Sequence, residues 1–326
     1  MNTKKIIGHS AMMGAEVLWG LMIPAAKSLL LAGLISPVML LDLRFAGAAV
    51  VFWLFSPLMP KEKVSRRDLT ALFMASMLIV LGNQGLFIWG VSLTSPVSAS
   101  ICATSMPLFT MLLAAWHLRE PITKLKFSGV LLGAAGGILL ILNAQQPHQS
   151  VWNGVKGDVL ILLSEVAFAL YLVYFKDLIS RYHPYTLMKW MFSFAAITSL
   201  PFSTHSLQAI WQALPSLQAA DWGNLAIIVL GGTFLSFLLL PIGQKHLRPT
   251  VTAIYAYVQP LVACVIAIIS GMDSFSWKVA LAAGLVFAGV ACVTLSKSRA
   301  DLDREQKQTK HEHADKKKMA LSTAKI

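Results

Sequence analysis

Residues 96–142 read PVSASICATSMPLFTMLLAAWHLREPITKLKFSGVLLGAAGGILLIL. A first apolar run carries Pro107 inside it, a short charged turn follows at Arg119-Glu120-Pro121, and a second apolar run is studded with glycines. The same grammar returns over residues 249–295 as PTVTAIYAYVQPLVACVIAIISGMDSFSWKVALAAGLVFAGVACVTL. Laying Pro107 on Pro260, 153 residues further on, places Glu120 on Asp273 and Gly136 on Gly289. Two copies of one apolar hairpin, half a chain apart, point to a duplicated membrane protein.

Composition supports that reading. The 326-residue chain is 56% hydrophobic and 13% charged, whereas soluble domains carry about 25% charged residues. A globular core cannot hide so much apolar surface, so lipid is the solvent for most of it. The net charge of +12 could suggest nucleic acid. However, the basic residues sit in short segments between apolar runs and in the tail, not on one polar domain, which excludes that class. Cys102, Cys264 and Cys292 lie within apolar runs without metal or CxxC spacing and read as small packing residues. The first apolar run is too long for a cleavable signal and lacks a small-residue cleavage site.

A bilayer span needs about 20 mostly apolar residues. That ruler predicts ten transmembrane helices, near 9–31, 37–58, 69–91, 96–117, 127–143, 158–176, 185–203, 222–243, 250–271 and 278–297. Pro37, Pro96 and Pro249 fall at span starts, where a missing N–H costs least. With these spans, 22 of the 27 Lys and Arg residues fall on one side and only Lys156 and Lys278 on the other. Lys27, Arg44 and Lys189 lie within spans. The positive-inside rule then requires an even number of spans with both termini in the cytosol.

The halves echo each other elsewhere. Glu16-Val17-Leu18-Trp19 resembles Glu165-Val166-Ala167-Phe168, and Lys27 matches Lys176 at the same offset of 149. Five spans per half is an odd number, so the second copy must enter the membrane with opposite polarity. Inverted repeats of this kind are a signature of secondary transporters, with the substrate site at mid-membrane between the repeats. The expected organisation is a short cytosolic N-terminus (1–8), a first five-helix repeat (9–143), an extracytoplasmic linker (144–157), a second repeat (158–297) and a disordered basic cytosolic tail (298–326).

Trp19-Gly20 in the first span, Leu43-Arg44-Phe45 in the second, and Pro107, Arg119-Glu120-Pro121, Gly129 and Gly136 across the hairpin resemble the drug/metabolite transporter superfamily, more narrowly its EamA-type exporters. The resemblance covers residues 9–297. It implies an all-α, ten-helix membrane carrier of two inverted five-helix repeats that moves small metabolites, often outward, without ATP. One departure is that Asp273 has no flanking basic residue, so the second hairpin turn is degenerate.

Ionisable residues inside a membrane are costly and mark function by default. Glu16 and Glu165 occupy matching places in the two repeats near the centre of their spans. A carboxyl there can take up and release a proton as a cavity alternates sides; the competing reading is a polar tie between helices. Arg44 can clamp an anionic group bidentately, or snorkel or pair with a carboxylate instead. Asn83 and Gln84 interrupt the third span, and Gln259 precedes Pro260. Trp19, Tyr171, Tyr255 and Tyr257 offer stacking faces and hydroxyls or an indole N–H. Pro107 and Pro260 are expected helix kinks. Lys27 and Asp42, at similar depth, are expected to pair, while Lys176 and Lys189 snorkel. Gly129, Gly133 and Gly137 read as a close-packing face.

The sequence contains no GxxxxGK[ST], GxSxG or HExxH, so no enzyme, metal or cofactor is expected. The function expected is a secondary active exporter of small metabolites, such as amino acids or amphipathic compounds, across the bacterial inner membrane by alternating access, with protons as the candidate coupling ion. A facilitative carrier, a channel and an importer are the alternatives.

Overall fold

The computed structural model describes residues 3–31, 33, 35–93, 102–143, 151–202, 214–269 and 277–297. The expected basic tail, residues 144–150 of the linker 144–157, Asp273, and the side chains of Lys27 and Cys264 lie outside the described residues.

The described residues form helices and turns and no strand. In the first half these are α1 (Thr3–Leu31), α2 (Pro37–Phe55), α3 (Arg66–Ser76), α4 (Gln84–Leu93), α5 (Met106–His117) and α6 (Lys124–Asn143). The second half holds α7 (Val151–Tyr174), α8 (Lys176–Arg181), α9 (Pro184–Ser199), α10 (Ala219–Ala226), α11 (Ser236–His246), α12 (Pro249–Ile254), α13 (Val258–Ile269) and α14 (Trp277–Leu295). Among the described residues six stretches are long and apolar enough to cross a membrane: Thr3–Leu30, Pro37–Leu58, Arg66–Gly90, Val155–Tyr174, Ala219–His246 and Trp277–Leu295. Helices α5, α6, α9 and the α12–α13 pair fall within or across the other four expected spans, α5 over only the second half of 96–117.

Two of those four differ from the expected continuous helices. Pro107 lies in the first turn of α5, just after a turn at Thr104–Ser105. Pro260 lies in the first turn of α13, just after a 3-10 segment, Tyr255–Tyr257. Each proline withholds the N–H that the carbonyl four residues back would accept, Ala103 and Ala256 respectively. The chain therefore breaks upstream of the proline rather than at it.

The third span of each half carries a backbone feature that the sequence reading did not anticipate. A π-helical segment, Met77–Asn83, joins α3 to α4, and a second, Ile227–Leu235, joins α10 to α11. Such wide turns are rare and concentrate at functional sites.

Helices that match between the halves pack against each other in opposite directions. Along α6 and α14, a Cβ on Gly129 would meet the Gly289 carbonyl at 2.9 Å, and one on Gly136 would meet the Ala282 carbonyl at 2.8 Å. Seven residues forward on one helix thus correspond to seven back on the other. Only glycine lets the two backbones come this close. Helices α2 and α9 run antiparallel too: Trp53 Nε1 donates to Ser193 Oγ at 2.8 Å, and Lys189 Nζ to Ser56 Oγ at 3.1 Å. The halves also exchange partners. Helix α1 lies along α11, with Gly8 by His246 and Gly243 by Met12, while α7 lies along α4, with Gly90 by Ile161.

Most basic segments gather at one end. His183 N–H donates to both Glu62 oxygens, and Arg181 and Tyr182 donate to Asp68 at 3.0 and 2.7 Å. His117 stacks on Tyr174 at 4.1 Å. Arg119, with a left-handed φ of 53°, turns the chain so that the Glu120 N–H reaches the Ala114 carbonyl. Glu120 is buried there: Lys126 Nζ and Thr250 Oγ1 both donate to its Oε2 at 3.0 Å. The first hairpin is thereby tied to the start of the second.

Candidate functional site

Helices α1 and α7 open the two halves and deliver the central side chains. Glu16 and Glu165 are 2% and 6% exposed. Each carboxyl is carried at the matching place of its own helix. One turn along, the matched pair Trp19 and Phe168 meet edge to face, with ring centroids 6.4 Å apart. Trp19 also packs edge-on against Phe237 of α11 at 5.5 Å.

The first π-segment supplies the polar brace. Asn83, at its end, is buried and donates through Nδ2 to the Ser164 carbonyl at 3.0 Å; Gln84 Nε2 donates to Asn83 Oδ1 at 2.8 Å. Ser164 Oγ donates to the Ile161 carbonyl at 2.7 Å and lies 3.5 Å from Glu165 Oε1. An α7 carbonyl in mid-helix already has a partner, so the amide of Asn83 adds a second donor beside the glutamate.

Further along α7, Tyr171 is fully buried and donates to Gln244 Oε1 of α11 at 3.3 Å. Among the described residues, Glu16 Oε2 and Gln244 Nε2 are buried polar atoms without a hydrogen-bond partner. One is an acceptor and the other a donor. Such atoms are expensive in an apolar interior and need a role.

Of the residues predicted from sequence, Glu16, Trp19, Asn83, Gln84, Glu165 and Tyr171 are thus linked around α1 and α7. Tyr255 shares a 2.7 Å hydrogen bond with His9 Nδ1, two turns along α1 from Glu16. Tyr257 serves the helix seam instead: its hydroxyl donates to the Thr104 carbonyl at 3.0 Å, and its ring lies where a Cβ on Gly133 would stand. Gln259 offers its backbone carbonyl to the face of α1 at Gly20. Arg44 is buried on α2 and donates through Nε to Thr233 Oγ1, in the second π-segment, at 3.0 Å.

Sequence reasoning missed His9, Ser164, Thr233 and Gln244. Gln244, just past an apolar run, was the signal available for α11: an amide where lipid would favour leucine.

Two matched sets of apolar helices, sharing a buried polar centre and built from segments long enough to span a bilayer, define a polytopic membrane protein. The EamA-like transporter family model matches twice, over residues 6–142 and 155–295. The chain belongs to that family, and it is a membrane transporter. It is 24% identical over 281 residues to an uncharacterized transporter of Archaeoglobus fulgidus, covering 84% of this chain and 94% of that one. It is 23% identical to the uncharacterized transporter YyaM of Bacillus subtilis (82% and 83% covered) and 25% identical to the uncharacterized inner membrane transporter YedA of Escherichia coli K12 (80% and 82%). A solved crystal structure shares the fold with a TM-score of 0.73 at 19% identity, over 90% of this chain and 97% of that one.

Proposed function

We propose that the protein is a secondary active exporter of small metabolites, such as amino acids or amphipathic compounds, working across the bacterial inner membrane by alternating access. It has ten spans in two inverted five-helix repeats, 9–143 and 158–297, joined by an extracytoplasmic linker. The basic end, both termini and the tail face the cytosol. The observation that carries this reading is the meeting of matched residues, Trp19 on Phe168, one turn along from the buried Glu16 and Glu165. The antiparallel seams of α6 with α14 and α2 with α9 support the inversion.

In this reading substrate and proton share the centre. The uncommitted Glu16 oxygen suits a substrate ammonium and the Gln244 N–H a carboxylate, as a zwitterion requires. Two matched carboxyls buried in a cavity are the candidates to take up and release a proton as the cavity alternates sides. Rocking of the halves about the axis would expose the pair to each side in turn. Arg44 is the candidate anchor for an anionic group.

The test is uptake of labelled amino acids into proteoliposomes of the purified protein, with and without an imposed pH gradient. Saturable uptake that answers to the gradient is the expected result. Saturable uptake indifferent to it would leave a facilitative carrier, non-saturable flux a channel, and gradient-driven accumulation only toward the cytosol an importer.

A further inference from the structure

Outside the central site, the described surface holds a groove of about 460 Å³ between α2 and α9, within the size range of small-ligand sites. Ala49 and Ala196 leave the space, and Val50, Leu54 and Ile197 form its walls. These three are 56%, 70% and 63% exposed, so the groove opens outward to the acyl chains and not toward Glu16 and Glu165. The Trp53–Ser193 hydrogen bond closes one side of it.

Lys189 stands at the end of the groove that points to the basic end of the molecule. Its Nζ is 4.7 Å from the centre of the Trp53 ring and 5.9 Å from that of Trp190, and it donates to Ser56 Oγ. Among the described residues no carboxylate lies within ion-pair distance of it, although carboxylates at the same end do hold Lys126 and Arg181. A half-buried ammonium between two indole faces has lost water and gained no counter-charge. Tryptophan and lysine together are also the residues that settle at headgroup depth. Exposed Lys61, Lys63, Arg66 and Arg67 follow Ser56–Leu58 and add positive charge at the same level.

We propose that this groove binds one anionic phospholipid, with its phosphate on Lys189 and an acyl chain along Ala49, Val50, Ala196 and Ile197. A zwitterionic lipid would bring its own cation into an already positive field, so net negative charge is what the site selects. The lipid would fill the seam between two helices that match across the halves, at the level where they must slide if the halves move.

Native mass spectrometry of the purified full-length protein tests this, with phosphatidylglycerol, phosphatidylcholine and soluble glycerol phosphate offered separately. The wild type should retain one phosphatidylglycerol, about fivefold more tightly than phosphatidylcholine, and should not retain glycerol phosphate. K189A should lose about that fivefold preference, K189R should keep it, and A196W should shed the lipid by filling the groove while the cation stays. The wild-type comparison of the two lipids stands even where a variant folds poorly. Equal retention of both lipids, no retained lipid, or full retention by K189A would overturn the proposal. Tight binding of glycerol phosphate would overturn it in favour of a free-phosphate site.

Discussion

Glu16 and Glu165 hold matching places in the two halves, but they are committed differently. Glu165 sits beside Ser164, whose carbonyl is gripped by Asn83 from the other half. Glu16 keeps one buried oxygen without a partner. The same divergence shows further out. His9 shares a hydrogen bond with Tyr255, while the residues at the matching offsets are a carboxylate and a thiol, Asp158 and Cys102. Duplication gave each half the same frame, and divergence gave one copy a braced carboxyl and the other a free one. A symmetric frame with asymmetric polar groups suits a carrier whose substrate and coupling ion need different partners.

The largest expected effects fall on that pair. E16Q should lower substrate uptake about tenfold or more by removing a charged hydrogen-bond partner, whereas E165Q should keep saturable uptake and lose its response to a pH gradient. Identical losses in the two variants would break the asymmetry. Next comes the contrast between two ion pairs at the basic end. K126M leaves Glu120 buried with one uncompensated charge and should cost about 3–5 kcal/mol of stability, most of it recovered by the E120Q/K126M double variant. R181A, at the exposed end of the Asp68 pair, should leave the thermal midpoint unchanged.

The helix seam separates tight glycines from loose ones. At Gly289 an added Cβ would stand 2.6 Å from the Gly129 carbonyl, while at Gly284 it would meet open space. G289A should therefore cost about 1–3 kcal/mol in detergent unfolding, and G284A should cost nothing. Among the destabilising changes the smallest is expected of Y257F, about 1 kcal/mol for the lost bond to the Thr104 carbonyl. A larger loss of transport than of stability in that variant would move Tyr257 from the seam into the transport machinery.

Much of this was legible in the sequence because a bilayer writes itself into composition. Apolar runs, basic turns and the 149- and 153-residue echoes require no tertiary contact to be read. The matching places of Glu16 and Glu165 are legible for the same reason, as two charges isolated in apolar sequence. The π-segments were not, because a wide turn leaves no propensity signature and Met77–Asn83 reads as ordinary helix. Glu120 read as a turn residue because the partner that buries it, Thr250, lies 130 residues away. Pro107 and Pro260 were visible as breaks, but the chain yields just upstream of each, at the Thr104–Ser105 turn and the Tyr255–Tyr257 3-10 segment.

The most direct test of the account is gradient-driven uptake measured side by side for wild type, E16Q and E165Q in the same proteoliposome preparation. The account predicts saturable wild-type uptake that rises with an imposed pH gradient, weak uptake by E16Q, and saturable but gradient-blind uptake by E165Q. Wild-type uptake that saturates and answers to the gradient, with E165Q indistinguishable from it, would contradict the central role of the paired carboxyls.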